Sequence, residues 1–283
     1  MAQHVIATSP AAALPPRTGL LLRVVPPGLY VGRARTLVRR AMLTNRRSWL
    51  PVVSGLVEPF FYLLALGVGF GKLVNDVTGP GGTPISYTAF VAPALLASSA
   101  MNGAVFDATF NIFHKLKYVK LYDSILATPL GPVDIAIGEI SWALLRGGLY
   151  SAAFLGVMAV LGLISTPWAL LAFPAALLIS LAFAAVGMAA TTFMRSWQDF
   201  DLVNLAVLPM FFFSTTFYPL SVYPRWLQIV VECLPLYEGV AMMRSLTIGG
   251  VDFGLLGHVA YFAVMVVGGG VVAGRRLRVL LLK

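Results

Sequence analysis

Residues 214–250 read STTFYPLSVYPRWLQIVVECLPLYEGVAMMRSLTIGG. The stretch is apolar enough for a membrane, yet Pro219, Pro224 and Pro235 cut it into pieces too short to cross one. Trp226 to Leu234 is nine residues and Glu238 to Ile248 is eleven, whereas a span needs about 20 helical residues. Two short helices that enter from one side and turn back fit this pattern. Irregular backbone cannot face lipid, so the prolines must face protein or water.

The rest of the chain supplies the membrane context. Of 283 residues, 59% are hydrophobic and 11% charged, and the mean hydropathy is +0.86. An average soluble domain is about 25% charged, so a soluble chain of this length could not bury so much apolar surface. The composition defines an all-α, polytopic integral membrane protein. The net charge of +9 does not imply a nucleic-acid partner, because the basic residues gather at the ends of apolar segments, where the positive-inside rule puts them. A single cysteine, Cys233, excludes an intrachain disulfide or a cysteine metal cluster.

Working outward, six candidate spans emerge: 49–71, 87–113, 133–164, 168–194, 202–218 and 253–273. Residues 1–28 are rich in Ala and Pro and carry no basic start followed by an apolar run, so they read as a flexible cytoplasmic tail. In residues 29–48, Val31, Ala34, Val38, Ala41 and Met42 recur at helical steps among six arginines, the pattern of a basic amphipathic helix on the membrane surface. Residues 49–274 form the six-span domain and 275–283 a basic tail. Lys and Arg number sixteen on the side shared by both termini and three on the other, with Arg146 inside a span. That asymmetry predicts both termini in the cytoplasm and the 219–250 stretch outside.

Candidate chemistry is sparse. Gly67-Val-Gly-Phe-Gly71-Lys72 has only three residues between its outer glycines and no Ser or Thr after the lysine, so it is not a phosphate-binding loop. Gly67 and Gly71 instead have the spacing of small residues at a helix contact. His4, His114 and His258 are far apart and none has a second ligand nearby, so no metal site is expected. No nucleophile elbow is present, and nothing argues for an enzyme. Four intramembrane charges, Glu58, Asp107, Glu139 and Arg146, fit structural pairing first and a proton relay second. Glu139 and Arg146 are two helical turns apart and share a face. Between spans two and three, about 114–126, Leu116, Tyr118, Val119, Tyr122 and Leu126 form an apolar stripe beside Asp123. This fits a short helix that docks a cytoplasmic partner or one that lies among lipid headgroups.

With these residues in view, the chain resembles the permease subunit of type-2 ATP-binding cassette exporters. Residues 127–139, ATPLGPVDIAIGE, are similar to that family's approach to the third span. The ordered residues Phe217, Tyr218, Pro219, Leu220, Pro224, Trp226, Leu234, Pro235, Leu236, Tyr237, Arg244 and Gly249 are similar to its signature between spans five and six. The nearest subgroup is the nodulation-factor lipo-oligosaccharide and daunorubicin-type exporters. The resemblance implies two permeases, as two copies or two homologues, paired with separate nucleotide-binding subunits that carry ATP and Mg; no cofactor is implied in this chain. It implies an interface helix at 29–48, a coupling helix at about 114–126 with Leu116, Tyr118, Val119, Tyr122 and Asp123 docking the ATPase, and re-entrant helices at about 219–250. Tyr218, Pro219, Trp226, Pro235, Tyr237 and Glu238 would form the outer gate. The implied activity is export of a glycolipid, lipo-oligosaccharide or hydrophobic drug across the plasma membrane. One departure stands out: many members carry Thr-His where Tyr237-Glu238 stand here. Outside the resemblance, an ion-coupled secondary transporter and a lipid-modifying enzyme are the alternatives; the first would show paired halves and midplane charges, the second a catalytic cluster at one membrane face.

Overall fold

The computed structural model describes residues 34–45, 57, 59–74, 77–78, 84–128 and 130–281. The tail 1–28, Glu58 and the start of the first expected span lie outside the described residues. The described chain is almost wholly helical: α1 (Ala34–Asn45), α2 (Pro59–Lys72), α3 (Tyr87–Tyr118), α4 (Leu121–Leu126), α5 (Pro132–Val160), α6 (Pro167–Thr191), α7 (Asp199–Phe213), α8 (Arg225–Glu232), α9 (Pro235–Thr247) and α10 (Gly254–Leu281). A two-residue antiparallel ladder, β1 (Val77–Thr78) with β2 (Pro84–Ile85), pairs Val77 with Ile85 between α2 and α3.

Four helices, α3, α5, α6 and α10, are long and apolar enough to cross a membrane, and the bent pair α8–α9 adds a fifth if counted as one span. The protein is therefore a multi-pass integral membrane protein. Against the six expected spans, α7 comes out short, and only the Pro59–Lys72 part of the first lies among the described residues. The fifteen residues of α7 rise about 22 Å, less than the ~30 Å hydrocarbon core. The chain leaves the helix at Ser214, one residue beyond Phe213, and continues as an irregular buried segment.

The core is built around α3 and α6, and its dominant residue is alanine. Ala92, Ala94, Ala97, Ala100 and Ala104 on α3 and Ala176, Ala182, Ala184 and Ala185 on α6 are buried. Small side chains matter here because lipid gives no hydrophobic drive for helix association; close van der Waals packing must supply it. Gly269 of α10 shows the limit of approach: a Cβ there would meet the Ala185 carbonyl carbon and the Val186 nitrogen at 2.8 Å. The Gly67 contact is of the same kind, since a Cβ would fall 2.8 Å from the Thr88 methyl, and the Thr88 hydroxyl donates to the Gly67 carbonyl at 3.2 Å.

The periphery differs. Only Phe262, Ala273 and Leu277 of α10 are buried, and no residue of α7 is. In α1, Leu37 packs against the core while Arg39, Arg40, Met42 and Leu43 are exposed.

Candidate functional site

The segment expected to dock a cytoplasmic partner is not one continuous helix. His114–Tyr118 is a π turn at the end of α3. Lys120 then takes a left-handed backbone, φ 47°, a conformation that costs a non-glycine residue roughly 1–2 kcal/mol. α4 follows in a new register. The apolar stripe read across 116–126 is therefore split. Tyr118 and Val119 are 56% and 54% exposed, and Asp123 is exposed. Leu116 is half-buried against the core.

Tyr122 is the correction: only 1% exposed, it points into the bundle and offers no docking surface. Burial pushes its hydroxyl well above the usual phenol range, and the nearby Glu139 carboxylate adds to the shift. Glu139 in turn accepts from Lys115 Nζ at 2.7 Å. This trio joins the π turn, α4 and the first turns of α5.

Glu139 and Arg146 share a face of α5 but take separate partners. Arg146 Nη1 donates to Asp107 Oδ1 at 2.7 Å, and its Nε donates to the Tyr150 hydroxyl at 2.9 Å. Asp107 is 2% exposed. It opens a second π turn, Asp107–Asn111, in the middle of α3. A π turn inserts one residue into the helical ladder, which is costly and tends to mark functional positions. The Thr191 hydroxyl, on α6, bonds the Ala108 carbonyl at 2.8 Å and so satisfies a backbone group inside the distortion.

Arg146 and Tyr150 form the polar end of a cavity of about 850 Å³ bounded by α2, α3, α5 and α7. Ser98, Ser99, Asn102 and Asn204 add hydrogen-bonding groups; Tyr62, Phe106, Phe110, Trp197, Phe200 and Phe211 supply aromatic walls. Such a lining suits an amphipathic molecule. It combines hydrogen-bond donors and a cation with flat apolar faces.

An aromatic cluster ties this cavity to the docking segment. The Trp197 ring lies 5.1–5.4 Å from Phe110, Phe113, Tyr118 and Phe200 between centroids. The loop before α7 thus rests on the end of α3. Asp199 accepts from the backbone N–H groups of Arg195, at 2.6 Å, and Ser196, at 3.1 Å. Those two bonds hold its carboxyl below the usual carboxylate range.

At the other end, α8 and α9 meet at 84° across Cys233 and Leu234. Pro235 occupies the first turn of α9, where its missing N–H costs no helical bond. Trp226 and Tyr218 are 68% and 48% exposed; Pro219, Pro235, Tyr237 and Glu238 are half-buried. A Glu238 carboxylate oxygen makes a close contact with Nδ1 of His258 on α10. The far end of α9 is pinned by the α5–α6 turn: the Thr166 hydroxyl donates to the Leu246 carbonyl at 2.6 Å and the Ser165 N–H to the Thr247 carbonyl at 3.0 Å.

Asn102, Tyr150, Asn204, Trp197 and Thr215 were not singled out by sequence, and His258 was weighed only as a metal ligand. Arg244 appeared only as a signature position. A cation within the short, mostly apolar run 239–248 was the available signal for Arg244. The others are single polar or aromatic residues in apolar helices or loops, and nothing local marks them. Among the described residues no group of three His, Cys, Asp or Glu side chains is placed to hold a metal.

A helical bundle with a mainly apolar cavity carrying a few polar groups, a surface-exposed turn at the end of α3 and a bent helix pair defines a membrane transport subunit. Residues 33–248 match the family described as ABC-2 type transporter, and the chain belongs to that family. It is 31% identical over 231 residues to nodulation protein J of Rhizobium leguminosarum bv. trifolii, covering 81% of this chain and 86% of the relative. Nodulation protein J of Rhizobium meliloti is 31% identical over 232 residues, 80% and 87% of the two chains. A probable doxorubicin resistance ABC transporter permease protein of Mycobacterium tuberculosis is 26% identical over 229 residues, 77% and 78%. As an ABC-2 permease the chain is a transport membrane subunit and not itself an enzyme; ABC-2 permeases work with ATP-binding cassette subunits that hydrolyse ATP.

Proposed function

We propose that this chain is one permease of an exporter in the plasma (inner) membrane, with six spans, both termini cytoplasmic and α8–α9 re-entrant from outside. Two such permeases, identical or homologous, pair with separate ATPase subunits that bind ATP and Mg. The cargo is a glycolipid, a lipo-oligosaccharide or a hydrophobic drug. The observation that carries this reading is the cavity bounded by α2, α3, α5 and α7, aromatic on its walls and polar at Arg146, Tyr150, Asn102 and Asn204. Tyr118, Val119 and Asp123 face outward below it, where an ATPase would dock. Movement there reaches α7 through Trp197, which touches both Tyr118 and Phe200.

Co-reconstitution with the cognate ATPase tests the reading. Vanadate-sensitive ATP hydrolysis and outward transport of a lipid-linked or drug probe are expected. Asn204→Leu should lower transport of a glycan-bearing probe without abolishing the basal ATPase. A complex with no vanadate-sensitive hydrolysis sinks the proposal.

An ion-coupled mechanism has one observation in its favour, the Asp107–Arg146 pair inside a candidate span. Intramembrane ionisable groups serve proton relays in such transporters. Transport that stops on adding an uncoupler while ATP remains would favour it.

A further inference from the structure

A second cavity, of about 630 Å³, adjoins the first around α7, the two sharing Val105, Thr109, Val203 and Val207. Its walls follow two helical stripes. On α7 they are Asp199, Leu202, Val203, Ala206, Val207 and Met210; on α6 they include Phe183, Val186, Gly187 and Ala190. Both sets recur at three- and four-residue steps, so each helix turns one continuous face to the gap. The slot is a seam between α6 and α7, backed by Val105 and Thr109 of α3. From Asp199 to Met210 it rises about 16 Å, close to half the ~30 Å hydrocarbon thickness. It has the depth of one leaflet.

The two ends of the seam differ. Met210, Pro235 and Met265 stop one end with apolar groups. The other end opens at Phe193 and Arg195. Arg276, from the end of α10, stacks its guanidinium 4.2 Å from the Phe193 ring centroid. Its Nε is buried and finds no hydrogen-bond acceptor among the described residues. Arg195 is exposed and likewise has no salt bridge among them. Asp199 is the only acid lining the slot; its carboxylate accepts two backbone N–H groups and also feels the Arg195 charge, though the two form no salt bridge. Arg195 thus lines the rim, and Arg276 lies beside it, stacked on the rim residue Phe193 with one buried, orphaned donor.

We propose that this slot binds an anionic phospholipid, one acyl chain lying between α6 and α7 and the phosphate held by Arg195 and Arg276. Guanidinium groups bind phosphate through paired, charge-assisted bonds, and basic pockets between transmembrane helices hold anionic headgroups. The lipid fills part of the space along α7 and so braces it beside the larger cavity. On the orientation proposed above, the lipid comes from the cytoplasmic leaflet; binding itself does not depend on that orientation or on export.

The test is native mass spectrometry of the full-length protein released from nanodiscs of equimolar dioleoyl phosphatidylglycerol and dioleoyl phosphatidylcholine. The expected result is one retained phosphatidylglycerol per chain, enriched about tenfold over phosphatidylcholine. Arg195→Gln with Arg276→Gln should remove the enrichment. Ala206→Phe and Ala190→Phe, which put a ring into the slot from exposed positions, should each cut retention about tenfold with both arginines intact. Glycerol phosphate in large excess should not displace the lipid, because it lacks the chain. Equal retention of the two lipids by the unaltered protein overturns the proposal. So does unchanged phosphatidylglycerol retention in both phenylalanine variants. Displacement by glycerol phosphate would reduce the site to a phosphate site. A change of oligomeric state in the phenylalanine variants without loss of lipid would assign the slot to a second copy of the chain.

Discussion

Arg244 of α9 holds Thr215, the residue at which the chain turns after α7. Its Nη1 donates to the Thr215 hydroxyl at 3.1 Å and its Nη2 to the Thr215 carbonyl at 2.5 Å. Thr215 sits at φ 57°, which a β-branched residue rarely adopts. The same guanidinium lies 3.7 Å above the Phe90 ring and donates to the Phe90 carbonyl at 3.3 Å. One cation without a carboxylate partner among the described residues thus joins the start of α3, the exit of α7 and the bent outer pair.

Arg244→Ala should strand the Thr215 and Phe90 carbonyls and cost about 1.5–3 kcal/mol. Arg244→Lys keeps the charge but not the planar fork, so it should recover only part of the loss. Thermal unfolding followed by intrinsic fluorescence measures both. Equal stability of the alanine variant and the parent would show that Thr215 holds its own conformation.

Removing one member of the Asp107–Arg146 pair should be worse than removing both. Asp107→Leu leaves a guanidinium facing a buried apolar site and should cost about 3–5 kcal/mol, whereas Asp107→Leu with Arg146→Met should recover most of it. A double-mutant cycle on unfolding free energy reads the coupling directly. Additive losses would mean that the two charges are solvated separately.

Val119 and Tyr122 should separate docking from folding. Val119→Asp changes an exposed side chain and should alter stability by no more than about 0.5 kcal/mol, yet weaken co-purification with the ATPase. Tyr122→Ala empties a buried site and should cost about 3–5 kcal/mol. If Val119→Asp retains the ATPase fully, the docking surface lies elsewhere.

Asp199 gives a pH signature. Its folded-state carboxyl titrates below the ordinary range because the backbone N–H groups of Arg195 and Ser196 stabilise the charged form. The unfolded value is near ~3.9. Its contribution is therefore complete above that pH and is lost as pH falls through the lower folded value. Asp199→Asn should be less stable than the parent at pH 7, and the gap should narrow below about pH 4. A gap independent of pH from 7 to 3 would contradict the assignment.

Topology can be tested at the bent outer pair. In a Cys233→Ser background, a cysteine at Trp226, 68% exposed, should react with an impermeant external thiol reagent, whereas one at Met242, 1% exposed, should not. Labelling of the Trp226 position only from inside inverts the proposed orientation.

Much of this protein was legible in its sequence because the bilayer imposes strict local demands. Apolar runs of span length, the breaks at Pro224 and Pro235 and the gathering of basic residues at the ends of apolar segments are local properties, and they identified a multi-pass helical protein with a bent helix pair. The ordered residues around that pair carried the family. Tertiary structure alone decided what each side chain faces. Lys120 resets the helical register, so periodicity could not show that Tyr122 turns inward while Val119 stays out. Glu139 and Arg146 share a face, but their partners, Lys115 and Asp107, come from another helix. The cavity needs walls from α2, α3, α5 and α7, which no window of sequence contains. Helix formation depends on neighbours a few residues away; cavities, ion pairs and the Arg244–Thr215 clasp depend on how alanine-rich helices settle against one another, and that is decided only by the packed bundle.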